Sequence, residues 1–243
     1  MDAVSDRDFA CDFLHAATML LVHLSRLSED LILWSSSEFG FATLDDSVTT
    51  GSSMLPQKKN PDACELARGK CGRVLGNLVG LVTTLKGLPL TYNKDLQEDK
   101  EAVFDAIDTV TLLLPVFVAV IETLRVNRGR AAAALEGGFL DALGVADYLT
   151  RKGIPFREAH GAAGKAVRRA EALGVGLTSL PLAEYHAIHP GFGPDLTAAL
   201  TLEQALADKD VVGGTAPARV REEIARVRRI AAGGQDKKEP EGS

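Results

Sequence analysis

Apolar residues recur at helical spacing through most of the chain, and three stretches sustain the pattern long enough to predict long helices. The first covers residues 5–34 with no Gly or Pro, and Phe9, Phe13, Leu20, Leu24, Leu27 and Leu31 fall on one face. Ser5 with Asp8 resembles a weakened capping box, Asp standing where Glu or Gln is usual. Residues 16–22 are apolar nearly all round, which predicts burial on more than one side. The second helix is predicted from Pro61 to Lys86, with Asn60 as its cap and Pro61 at its first position. Gly69, Gly72, Gly76 and Gly80 lie inside it. Each glycine weakens a helix by nearly ~1 kcal/mol relative to Ala, so they are read as close helix–helix contacts, with flexibility as the alternative. The third helix is predicted from Lys94 to Leu124. Its run Val110–Ile121 is apolar nearly all round, and Pro115 should kink it or be absorbed by local packing. A helix of about 30 residues spans roughly 45 Å, which suits a bundle, and an oligomeric one.

Between the first two helices, residues 35–59 lack periodicity and read as a loop of about 25 residues, a length usual for functional or disordered segments. After Asn127 the elements shorten, with candidate helices at 128–135, 141–152, 156–173, 181–187, 201–207 and 215–232. The last is strongly charged, which reads first as a solvated face. Gly137-Gly138 marks a boundary. The expected organisation is all-α: a long-helix bundle over 1–134, a small helical C-terminal domain over 135–232 and a disordered tail over 233–243.

Composition narrows the class. The chain has 243 residues, is 46% hydrophobic and 25% charged, and carries a net charge of −6. The acidic balance argues against a general nucleic-acid or membrane-surface binder. Val110–Ile121 is shorter than the ~20 residues that span a bilayer, which argues against a membrane protein. The acidic residues near the N-terminus leave no signal peptide visible. Three cysteines, Cys11, Cys64 and Cys71, give no disulfide framework and fit buried thiols in a reducing cytoplasm.

Most chemical motifs are missing. No Walker sequence, Gly-x-Ser-x-Gly elbow or His-Glu-x-x-His occurs. His186 and His189 have loose metal-ligand spacing, but Pro190 follows directly and no further ligand cluster is near. His15, His23 and His160 read as packed or surface histidines.

One stretch, residues 50–65, remains: Thr-Gly-Ser-Ser-Met-Leu-Pro-Gln-Lys-Lys-Asn-Pro-Asp-Ala-Cys-Glu. A loop feeding a helix N-terminus suits an anionic small molecule, because N–H groups and the positive end of the helix dipole point at it. Ser52 is useful chemically if cations lower its pKa or if it donates to a developing negative leaving group. Lys58 and Lys59 could supply that charge, or stabilise a carboxylate that gains charge in a transition state. A buried Glu65 could orient an imidazole. The alternative is solvated loop charges with Glu65 pairing Arg68 or Lys70, and spacing alone favours it.

The string Gly51–Asp62 resembles the signature loop of the fumarase/aspartase superfamily, and more narrowly that of the argininosuccinate lyases. Asp2–Phe9, Tyr92–Lys100, Gly137–Asp141, Arg151–His160 and Gly213–Pro217 resemble that family in the same order. Leu55 departs from the superfamily's usual Met, with Met54 one position earlier; the two side chains are similar in volume. The resemblance implies cleavage of the C–N bond of argininosuccinate to arginine and fumarate. It implies Ser52, Lys58 and Glu65 as catalytic residues, with Ser52 exchanging a proton, Lys58 stabilising a carbanion-like state and Glu65 pairing with a histidine. Asn60, Tyr92, Gln97 and Lys100 would bind substrate. It further implies a cytoplasmic homotetramer with composite active sites, no cofactor and no metal. The family's N-terminal half, with its general-base histidine, has no counterpart here, so the chain alone is expected to be inactive. The rivals are a non-catalytic structural protein on the same scaffold and another fumarate-releasing lyase, such as one acting on adenylosuccinate. Tyr92–Lys100 argues against the latter.

Overall fold

The structure is a computed structural model that describes residues 2–55, 57–135 and 138–233. Gly137 of the expected boundary and residues 234–243 of the expected tail lie outside the described residues, as does Pro56 of the loop. The chain divides into two compact units, Met1–Ala133 and Ala134–Ser243.

The first unit is built on three long helices. After a single turn, α1 (Asp2–Ser5), come α2 (Asp8–Ser35), α3 (Asp62–Leu85) and α4 (Asp99–Thr123), and a short α5 (Arg128–Ala133) closes the unit. The expected Ser5–Asp8 capping box is corrected: α2 opens at Asp8, and the Asp8 N–H bonds to Asp6 Oδ1 at 3.2 Å. α3 likewise begins one residue late, with Pro61 rather than Asn60 at the cap position. The third helix splits into a 3-10 turn, Lys94–Glu98, followed by α4. α4 runs unbroken through Pro115, which lies on the exposed side, where the carbonyl one turn back stays within reach of water.

Helix α3 packs along both α2 and α4. Arg68 near its start pairs with Glu29 near the end of α2 at 2.5 Å, and Arg7 before α2 pairs with Asp99 at the start of α4. α3 is therefore antiparallel to α2, and α4 runs parallel to α2. The buried seam comprises Ala10, Leu14, Ala17, Leu21 and Leu31 of α2, Cys64, Ala67, Val74 and Leu81 of α3, and Ala106, Leu113, Phe117 and Val120 of α4. With buried Ser28 between Leu21 and Leu31, these recur at intervals of three, four and seven, as helices packed side by side require.

The expected stripe on α2 joins this seam only in part: Leu31 is buried and Leu24 packs against the core, and the rest is corrected. Phe9 is 66% exposed, and Phe13 and Leu27 are also exposed. The faces of α3 and α4 away from the seam are also apolar and open, with Leu66, Val79, Phe104 and Leu112 among them. The glycines of α3 make no close helix contact in this chain, because a Cβ built on Gly69, Gly72, Gly76 or Gly80 would meet nothing within 4 Å. Lys94–Thr123 is, by length and composition, apolar enough to cross a membrane, a wider stretch than Val110–Ile121.

The 35–59 segment is more ordered than its sequence suggests. β1 (Ala42–Thr43) pairs antiparallel with β4 (Arg125–Val126), and β2 (Thr50–Gly51) with β3 (Lys59–Asn60). A 3-10 turn at Asp46–Val48 opens with Asp45 accepting from the Ser47 N–H at 3.0 Å.

The second unit has its own core. α6 (Ala142–Arg151) packs on α7 (Phe156–Leu173), whose Ala159, Ala162, Ala163, Ala166 and Ala170 form a buried alanine seam. α8 (Leu182–Ile188), α9 (Leu196–Ala199), α10 (Leu202–Ala207) and α11 (Pro217–Ala231) complete it. Tyr148, Tyr185 and Phe192 cluster at the centre, and the Tyr185 hydroxyl donates to the Leu177 carbonyl at 2.9 Å.

Candidate active site at two ends of the first unit

Within the residue string 50–62, β2 and β3 pair as a two-residue antiparallel ladder. Thr50 stands opposite Asn60 and Gly51 opposite Lys59. The Thr50 hydroxyl donates to the Asp62 carboxylate, tying the base of the ladder to the first residue of α3. Ser52 sits where the ladder ends. Its Oγ accepts the N–H groups of Met54 and Leu55, each at 3.2 Å. Both bonds are local, closing a turn over the hydroxyl and fixing the place of its oxygen. The Leu55 carbonyl in turn accepts the Lys58 N–H at 2.9 Å. Met54 is 87% exposed and Leu55 is also exposed, so the departure from the usual loop sequence falls where packing hardly registers.

The two lysines differ in their partners. Lys59 pairs with Asp46. Lys58 is exposed, and among the described residues it has no side-chain hydrogen bond or ion pair, so its ammonium remains available to an anion. Glu65, one turn into α3, is exposed rather than the buried carboxylate considered from sequence, and its charge adds a small contribution at Arg68 without forming the ion pair. Arg68 pairs with Glu29 instead. Glu65 does act on its neighbour: burial pushes the Cys64 thiol up, and the Glu65 charge adds to that shift.

The remaining three residues lie at the other end. Gln97 Nε2 donates to the Tyr92 hydroxyl at 2.9 Å, and Lys100 Nζ reaches Asp99 at 2.9 Å. The segment from Leu88 to Leu96 passes over the end of α3 and the start of α2, above a cavity of about 140 Å³. Ser52, Lys58, Asn60 and Glu65 sit where α3 begins, and Tyr92, Gln97 and Lys100 sit beyond its end. The 24 residues of α3 put roughly 35 Å between the two groups. One chain therefore brings the seven residues together as two clusters and does not gather them around one small molecule.

Sequence reasoning missed two supports of these clusters, the Thr50–Asp62 tie and the Arg7–Asp99 pair. Local spacing offers a weak signal for the first and none for the second, whose members are 92 positions apart. In the second unit, His186 Nε2 lies 2.7 Å from the Phe192 carbonyl and His189 Nε2 lies 3.2 Å from Glu158. The two rings serve separate hydrogen bonds.

Residues 1–76 match the family described as Lyase, and residues 139–207 match the family described as Argininosuccinate lyase C-terminal. An argininosuccinate lyase of Chloroflexus aggregans is 54% identical over 230 residues, covering 95% of this chain and 50% of that protein. One from Pelotomaculum thermopropionicum is 54% identical over 228 residues, with 94% and 50% covered. A solved variant of EDDS lyase with bound fumarate superposes with a TM-score of 0.76 at 25% identity, covering 95% of this chain and 48% of that one. The chain spans about half the length of the curated relatives it matches. Sequence identity at this level, sustained across both units, places the chain in the argininosuccinate lyase family of carbon–nitrogen lyases, within the fumarase/aspartase superfamily.

Proposed function

We propose that this chain supplies the signature-loop half and the Tyr92–Lys100 half of active sites that split argininosuccinate into arginine and fumarate. In that reaction a proton leaves the carbon next to a carboxylate of the succinyl group. The electron pair delocalises into that carboxylate, then forms the C=C bond of fumarate as the C–N bond breaks. The departing guanidino nitrogen takes a proton. Ser52 exchanges a proton with substrate, Lys58 stabilises the charge gathering on the carboxylate, and Glu65 pairs with a histidine from outside these residues. Asn60, Tyr92, Gln97 and Lys100 hold substrate. A serine oxygen accepting two N–H bonds at the end of the β2–β3 ladder, in the same loop as a lysine with no ion pair among the described residues, is the observation that carries this reading.

The separation of the two clusters supports active sites assembled from more than one chain, and the open apolar faces of α2, α3 and α4 support a shared bundle such as a homotetramer. A cytoplasmic enzyme is the setting proposed. The test is fumarate release from argininosuccinate, followed by ultraviolet absorbance. The 243-residue chain alone is expected to show none, and adding the N-terminal half of the Chloroflexus aggregans relative is expected to restore it. Turnover at a normal lyase rate by the chain alone, or no turnover in any mixture, would overturn the proposal.

A further inference from the structure

Lys100 is half-exposed, yet its ammonium does not hang free: it rests on Asp99, whose side chain is only 10% exposed. On its other side the Asp99 carboxylate receives Arg7 Nε at 2.5 Å, and the Arg7 side chain is itself 14% exposed. Arg7 also donates to the Asp6 carbonyl at 2.6 Å, which fixes the turn ahead of α2. A chain of polar contacts thus runs from the start of α2, through Asp99 at the start of α4, to the Lys100 ammonium. Burial pushes the Asp99 carboxyl up, but bonds and charge from Lys100 and Arg7 outweigh it and hold the carboxyl below its ordinary value. Asp99 is thereby kept ionised as the shared partner of two cations.

Packing offers this region less support than the polar contacts do. Between Tyr92 and Gln97 only Leu96 is buried, and the segment before it lies over the cavity. Lys100 has a long flexible stem with about 2 kcal/mol of rotamer entropy, so an untethered ammonium would sample many positions. Holding it in one place prepays that ordering before an anion arrives.

We propose that Asp99, anchored by Arg7, is a positioning residue that sets where the Lys100 ammonium meets an anionic group of the substrate. Neither Asp99 nor Arg7 touches substrate in this scheme. The proposal rests on the lyase reading for what Lys100 binds, and on geometry alone for the clamp.

Two measurements test it. In the assembly restored with the N-terminal half of the relative, Asp99→Asn is expected to raise KM for argininosuccinate about tenfold while kcat stays within about twofold, the signature of lost binding rather than lost chemistry. Asp99→Glu, which keeps the charge, is expected to recover most of the loss. Arg7→Gln should shift KM the same way by a smaller factor. In the 243-residue chain by itself, trace labelling of lysines with acetic anhydride is expected to find Lys100 severalfold less reactive than exposed Lys94, and Asp99→Asn should erase that difference. An unchanged or lowered KM in Asp99→Asn overturns the proposal, as does equal labelling of Lys100 and Lys94 in the unaltered chain. A loss of thermal stability with KM unchanged does so too, because it leaves Asp99 a structural role only. If the unaltered assembly releases no fumarate, the lyase reading falls, and the labelling ratio still decides the clamp.

Discussion

The two ends of the first unit hold their candidate residues by different means. At the signature loop the ties are exposed: a two-residue ladder, the Thr50–Asp62 hydrogen bond and the Lys59–Asp46 ion pair. Exposed ion pairs are worth about 0–1 kcal/mol, so this loop can open and reclose cheaply. At the other end Leu96 is buried and a shielded Arg7–Asp99 pair joins two helix starts. Hydrogen bonds to charged groups contribute about 1.5–3 kcal/mol each, and that end is the firmer platform. The contrast suits a site in which one half moves onto substrate held by the other.

The largest expected effect lies at the signature loop. Ser52→Ala should lower the restored lyase rate by about a hundredfold or more, the scale of lost proton transfer, and the ladder should survive. A rate within a few-fold of the unaltered assembly would remove Ser52 from the chemistry. Next come the paired lysines. Lys58→Met should cost about tenfold or more in kcat/KM, as loss of a cation facing developing charge does, and Lys59→Met only a few-fold. Equal losses would mean that the structural distinction between them has no functional weight.

On the firm half the effects move from rate to binding and stability. Gln97→Leu, which also releases the Tyr92 hydroxyl, should raise KM about tenfold and leave kcat nearly unchanged. Asp99 carries the stability difference between the ends. Its folded carboxyl lies below the ordinary value, so its contribution is complete above the usual aspartate range and is lost as pH falls through the lower folded value. Urea unfolding of the chain should therefore show Asp99→Asn less stable by about 1–3 kcal/mol at neutral pH, with a weaker loss of stability in acid than the unaltered chain. The smallest effect is at the ladder: Asp46→Asn should change unfolding by less than about 1 kcal/mol.

The long helices and the fold class were legible because amphipathic periodicity sustained over 24–28 residues leaves little choice. The face that packs inward was not. α2 is apolar on two sides, and periodicity picked the side with the larger side chains, Phe9 and Phe13. The seam inside this chain combines Leu14, Leu21 and Leu31 with the small residues Ala10, Ala17 and Ser28, which let α2 and α3 approach, while Phe9 and Phe13 stay on the open face. The glycines of α3 were read from sequence as close helix contacts, and the structure leaves them facing open space. Two-residue ladders in the 42–60 region are too short for alternation to reveal. The candidate residues were found by resemblance to a known loop. Their division between two ends follows from the length of α3, which the helical periodicity of residues 61–86 also predicts, because one continuous helix keeps its two ends apart.

The central claim is that the two clusters serve one active site only when they come from different chains. The direct measurement mixes two inactive variants, Ser52→Ala and Lys100→Met, each with the N-terminal half present, and follows fumarate release. In a symmetric oligomer that mixes at random, roughly a quarter of the sites should hold both intact clusters, and activity should reappear to that extent. A mixture as inactive as either variant alone would contradict the account.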